Sequence, residues 1–188
     1  MKTTTSGFIG VSMANPALEL EDFEQFVEQY RSRVLRFVFA SVRDMDLAET
    51  LTQDCFWNAY RNRDRFRGDC SVTTWLMKIA VNLVRDHTRT RRFQFWRKAQ
   101  RVHIDEIHDW SDRSISPEEK AAVNEQVEAV WQVTKTLSER QRTVFLLRFV
   151  EELDIPEIAQ STGLTENAVN VHLFRAIRSV RKHLGKLK

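Results

Sequence analysis

Between Asp154 and Leu184 the sequence leaves the backbone few choices. Asp154, with Glu157 three residues on, reads as an N-cap and capping box, and Pro156 falls in the first turn, where a missing N–H costs little. Gly163 supplies the left-handed residue that closes such a helix. Thr165 then caps a second helix, with Glu166 in its first turn at the positive end of the dipole. Two helices joined by so tight a turn predict a helix-turn-helix, whose second helix enters the major groove of DNA.

The two faces of that second helix differ. Val169, Leu173, Ala176, Ile177, Val180 and Leu184 share one side at about 100° per residue. The other side carries Asn167, Val171, Phe174, Arg175, Arg178 and Lys182. Between Gln160 and Lys188 six cations stand against the single acid Glu166. An ordinary helical hairpin with a solvated basic face is the bland reading. It gives Val171 and Phe174 no role, whereas a DNA-reading face does. Arg175 lies nearer the helix N-terminus and is placed to read a base edge, while Arg178 is placed for phosphate.

Gly and Pro are scarce, at 5 and 3 of 188 residues, and long helical periods dominate. The expected class is therefore all-α, as two small helical domains joined by a flexible linker, the second containing the helix-turn-helix. No apolar run approaches membrane-spanning length, so no membrane insertion is expected. The first 18 residues read as a flexible tail rather than a signal peptide. Cys55 and Cys70 form no CxxC pattern and read as two reduced thiols in a cytoplasmic protein.

Charge divides the rest of the chain. From Glu19 to Tyr60 nine acids face four bases, so this part should not face DNA. Leu20–Phe39 reads as a helix with Asp22 as a candidate cap, and Asp46–Tyr60 as a second. The outer side of the second carries Glu49, Thr50, Gln53 and Asp54, either a solvated stripe or a docking surface for a basic protein. From Arg61 to Arg101 the balance reverses, with twelve bases against three acids and interleaved aromatics, a pattern suited to phosphate and to unpaired bases. Phe66–Ser71 reads as a loop and Val72–Arg92 as a long helix, with Trp75, Leu76, Ile79, Ala80 and Leu83 turned inward. Lys78, Asn82, Arg85, Asp86 and Arg89 lie on or beside its other side, and Phe66 is the stacking candidate.

Val102–Ser116 is polar, acidic and aperiodic, and reads as the linker. Its His103, Asp105, Glu106, His108 and Asp109 match no zinc spacing, and no cofactor or metal is expected. Ser116-Pro117 opens a further helix, and Ser138 with Gln141 caps the next. No nucleophile–base pair or phosphate loop is present, so the chain does not read as an enzyme. A free-standing two-module DNA-binding regulator and a helical nucleic-acid enzyme using the linker acids and histidines are the alternative classes.

Several segments together resemble extracytoplasmic-function sigma factors. These are Phe66-Arg67-Gly68, Trp75-Leu76, Ile79-Ala80, Asn82, Asp86-His87 and Arg89, preceded by the Asp46–Tyr60 helix. In the second half, Leu137–Arg142, Pro156–Ala159 and Leu164-Thr165 continue the likeness. It implies a two-domain initiation factor, with residues 19–101 binding RNA polymerase core and opening the −10 element, 102–116 as linker, and 117–188 reading the −35 element. It further implies that Glu49, Gln53 and Asp54 dock on the β′ clamp, that promoter DNA is the nucleic-acid partner, and that an anti-sigma factor holds the protein inactive. The sequence departs from the family at Thr50 and Asp54, where Asp and Glu are more common, and at Asn170 and Val171, where a cation and Ser are common. The implied −35 target is therefore its own.

Overall fold

The computed structural model describes residues 20–96 and 116–184. The expectations for the N-terminal tail and for the acidic linker lie outside these residues. Seven α-helices and one short 3-10 turn follow in order: α1 Leu20–Val42, α2 Met45–Arg61, the turn Arg63–Arg65, α3 Val72–Trp96, α4 Pro117–Thr134, α5 Glu139–Phe149, α6 Ile155–Thr162 and α7 Glu166–Leu184.

The first module, α1–α3, is built around aromatic rings. Phe23 meets Tyr60 edge-on at 5.0 Å and Phe26 meets Phe56 edge-on at 6.0 Å, joining α1 to α2. Asp22 lies inside the first turn of α1 rather than capping it, because the helix starts two residues earlier. α1 stops at Arg43, whose φ of +60° breaks the helical path, and Asp44 Oδ1 accepts the Leu47 N–H to cap α2.

The inward side of α3 differs from the expected stripe. Leu76, Met77, Ala80, Val81 and Val84 are buried, whereas Trp75, Ile79 and Leu83 are only half-buried. The reason is that α3 is covered by α1 and α2 and also by α6, so its buried sector is wider than one helical stripe and turned toward the middle of the molecule.

The second module, α4–α7, is held by local caps. Gln141 Oε1 accepts the Ser138 N–H at the start of α5. Asp154 Oδ1 accepts the Glu157 N–H at 2.8 Å while Glu157 Oε2 accepts the Asp154 N–H at 3.0 Å, a closed capping box. Gly163 has φ +72°, and Thr165 Oγ1 accepts the Ala168 N–H to start α7. Val169, Leu173, Ala176 and Val180 are buried on the inner face of α7, as the spacing predicts. The two modules pack directly on each other: α6 lies on α3, α4 and α5 lie on α1, and one apolar core runs from Phe23 to Leu173.

Candidate nucleic-acid and protein interfaces

α7 presents the first candidate surface. Its inner residues fix its rotation, so Asn167, Asn170, Val171, Phe174, Arg175, Arg178 and Lys182 are all exposed on one broad side. Phe174 is 68% and Val171 40% exposed, and both lie on that side. A helix with cations and two bare apolar groups on one face can meet phosphates, base edges and thymine methyls together.

Arg140, at the N-terminal end of α5, is an exposed cation that enters the sequence pattern only within the Leu137–Arg142 segment of the family likeness. It lies close enough to α7 that its charge acts on His172. Partial burial, and then the charges of Arg140 and Arg175, hold that imidazole below its ordinary pKa. The basic field at the N-terminal half of α7 is therefore contributed by two helices. Electrostatic proximity between residues 32 apart in the chain carries no periodic signal that could have disclosed it.

The second surface belongs to α3 and the loop before it. Lys78, Arg85, Asp86 and Arg89 are exposed, and Asn82 is half-buried beside them. Arg85 Nη2 donates to Asn82 Oδ1 at 2.7 Å, so the amide and the guanidinium form one preset group. Gly68 takes φ +77°, which turns the Phe66–Ser71 loop back toward α3. Phe66 lies against Trp75 with ring centroids 5.0 Å apart and remains half-exposed. The loop thus holds an aromatic ring at its edge, backed by a second ring.

The third surface is the outer stripe of α2. Gln53 and Asp54 are exposed and Glu49 is half-buried. Thr50 Oγ1 donates to the Asp46 carbonyl at 3.0 Å, so this hydroxyl is turned to its own helix. Desolvation raises the Asp54 carboxyl above its ordinary pKa, and a cationic partner would offset that cost most directly there. The three surfaces do not converge on one pocket: the α2 stripe and the α7 face are separate acidic and basic regions on different modules.

Cys55 is buried and donates its thiol to the Leu76 carbonyl at 3.7 Å, and burial pushes its pKa up. It is a packing residue between α2 and α3. Among the described residues no three His, Cys, Asp or Glu side chains are grouped to hold a metal ion, and no helix is long and apolar enough to cross a membrane.

Comparison with known proteins matches the two modules separately. The sigma-70 region 2 family matches residues 26–94 and sigma-70 region 4 matches residues 128–180. The chain is 30% identical over 168 residues to the RNA polymerase sigma-H factor of Pseudomonas aeruginosa, covering 88% of this chain and 87% of that one. It is 27% identical over 175 residues to the ECF RNA polymerase sigma factor SigX of Bacillus subtilis, covering 89% and 86%. Among solved structures, the sigma factor RpoE in complex with the anti-sigma factor NepR from Bartonella quintana has the same fold, with a TM-score of 0.64 at 20% identity over 88% of this chain and 98% of that one.

Proposed function

The chain belongs to the sigma-70 family as an extracytoplasmic-function sigma factor, a non-enzymatic initiation factor that directs RNA polymerase to promoters, and from that premise we propose how its surfaces divide the work. Residues 19–101 bind polymerase core and open the −10 element, residues 117–188 read the −35 element, and residues 102–116 join the two. The protein acts in the cytoplasm. The observation that carries the reading is the outer face of α7, where Val171 and Phe174 stand bare among Arg175 and Arg178.

On the −35 element, α7 lies in the major groove. Arg175 takes a guanine edge, Val171 and Phe174 favour a thymine methyl, Asn167 and Asn170 offer amides, and Arg178 and Lys182 meet the backbone. On the −10 element, Lys78, Arg85 and Arg89 follow the phosphates, Asn82 and Asp86 face bases, and Phe66 receives an unstacked base. Flipping a base costs a few kcal/mol, and stacking on an aromatic ring returns about 1–3 kcal/mol. Glu49, Gln53 and Asp54 dock on the β′ clamp, an acidic stripe on a basic partner. The solved relative named above was crystallised with an anti-sigma factor, and a regulator of that kind is the expected partner of this chain as well.

Run-off transcription with purified core tests this reading together with Phe66→Ala. The variant is expected to bind closed duplex promoter as the native protein does, yet to give about tenfold less permanganate-reactive open complex, and to recover on a pre-melted template. Equal opening of duplex and pre-melted templates by the variant removes Phe66 from the mechanism. Absence of any run-off product with the native protein overturns the whole reading.

A further inference from the structure

The acidic stripe of α2 has a second half. Trp57 stands one helical turn beyond Gln53, and Arg61 follows one turn later, in the last turn of the helix. Trp57 comes nine residues after buried Ala48 and two before buried Ala59. At about 100° per residue it points roughly 180° away from both, toward the middle of the outer face. α1 and α3 cover the helix on the opposite side. An outward position on a surface helix is ordinarily polar, so a tryptophan there needs a reason.

The ring is half-buried and held in place. It stacks on Tyr60 with centroids 6.3 Å apart and planes 20° apart, and the Arg61 guanidinium lies over it at 5.9 Å. Tyr60 is fixed in turn. It packs against the core and meets Phe23 edge-on, while Arg63 lies over its ring at 4.1 Å and donates Nη1–H to the Tyr60 carbonyl at 2.9 Å. Trp57 is thus the outer end of an aromatic line that begins in the core. A side chain fixed before binding loses little rotamer freedom on binding.

Charge changes sign across this ring. Glu49 and Asp54 precede it and Arg61 follows it. Asp54 and Arg61 are seven residues apart, about 10 Å along the helix axis. The macrodipole favours acids early and cations late on any helix, so that order alone identifies no partner. The ring between the charges does more. Binding energy concentrates in Trp, Tyr and Arg side chains near the centre of an interface, ringed by polar groups that exclude water. Trp57 has Gln53 and Asp54 on one side and Arg61 on the other. Nucleic acid fits this row less well. A base stacked on Trp57 would bring phosphates within a Debye length of Asp54, less than one turn away, where like charges repel.

We propose that Trp57 is the anchor of the polymerase-docking face and that Arg61 sets its register. The complementary segment of polymerase core presents cations to Glu49 and Asp54, an apolar hollow to Trp57 and an acid to Arg61. This rests on the assignment of α2 to the clamp. It adds what the acidic residues do not supply, apolar area at the centre and a charge of opposite sign that fixes the direction in which α2 lies. A partner laid the other way round would set like charges against each other at both ends.

The test measures association of the full chain with purified core at two salt concentrations. Trp57→Ala should weaken it about tenfold, chiefly through faster dissociation. Trp57→Phe, which keeps an aromatic ring, should recover most of the loss. Arg61→Glu should weaken association severalfold, more at low salt than at high, and Arg61→Lys should stay within about twofold of native. Binding to duplex −35 DNA should be unchanged in all four. If Trp57→Ala lowers the midpoint of denaturation, the Arg61 pair decides, since that side chain is exposed. Native core affinity in folded Trp57→Ala, or in Arg61→Glu, overturns the proposal. So does native core affinity combined with weaker binding of a single-stranded −10 oligonucleotide to the assembled holoenzyme, which would make the ring a DNA contact. Failure of the native protein to bind core would instead overturn the assignment of α2 to the clamp, so the two failures are distinct.

Discussion

α2 and α7 are helices of similar length, 17 and 19 residues, and each turns one side to the core and one to solvent. Their outer sides differ in what water makes of them. Glu49, Gln53 and Asp54 on α2 are polar groups that water solvates, apart from a desolvation at Asp54, so what exposure they have says little about a partner. Phe174 on α7 stays 68% exposed. A phenyl group left largely in water forgoes roughly 1–2 kcal/mol that burial would return. An exposed face of that kind is informative because it is locally unfavourable, whereas an exposed acidic stripe is favourable whether or not anything docks on it.

The largest effect expected from breaking this comparison is at Arg175. Arg175→Ala should cost about 1–3 kcal/mol on the cognate −35 element and relax preference at one base pair. Core affinity should not change. Fluorescence anisotropy on a −35 substitution series reads this directly. If every sequence weakens equally, Arg175 is a phosphate ligand and the docking drawn for α7 is wrong.

Next in size is the α2 stripe. Gln53→Ala with Asp54→Ala should weaken association with polymerase core by about 1 kcal/mol, several-fold in affinity, while leaving binding to duplex DNA and the circular dichroism spectrum as they were. Unchanged core affinity in a folded variant would make the stripe merely solvated.

Arg178→Ala sharpens the comparison within α7 itself. It should weaken all sequences alike and flatten the salt dependence by about one unit of slope. Binding titrations at two salt concentrations would show it, and an altered base preference would contradict it. Smallest of all is the stability change on Phe174→Ser. Because the ring packs little, unfolding free energy should stay within about 0.5 kcal/mol of the native value while preference for a thymine is lost. A clear fall in denaturation midpoint would mean that Phe174 is a core residue after all.

The parts of the fold that were legible in sequence are those fixed by neighbours in sequence. The Asp154–Glu157 box, Gly163 at the end of α6 and Thr165 at the start of α7 stand where the residues predict, because capping is settled within four residues. The buried side of α3 was only half legible. Trp75, Ile79 and Leu83 make a sound amphipathic stripe, but α6 arrives from 80 residues away and moves the burial toward Met77, Val81 and Val84. Asp22 is a good cap residue overtaken by a helix that starts earlier. Glu151 was silent. An acid in a Glu-Glu pair between two helices reads as solvated, and only the arrival of Arg33, 118 residues distant, makes it a buried one. Among the candidate surfaces, the rotation of α7 was legible because Val169, Leu173, Ala176 and Val180 fall on one helical stripe and are buried, and the contribution of Arg140 was not, because it comes from another helix.

The separation in sequence between residues that join the two modules has a consequence in time. Thr74 and Glu157 are 83 residues apart and Arg33 and Glu151 are 118 apart. Ribosomes add about 5–20 residues per second, so roughly 4–17 s separate the synthesis of Thr74 from that of Glu157. For most of that interval α1–α3 are complete while the Glu157 carboxylate that accepts the Thr74 hydroxyl is not yet made. A nascent chain stalled before Glu151 should therefore show faster amide exchange at Thr74 than the finished chain does.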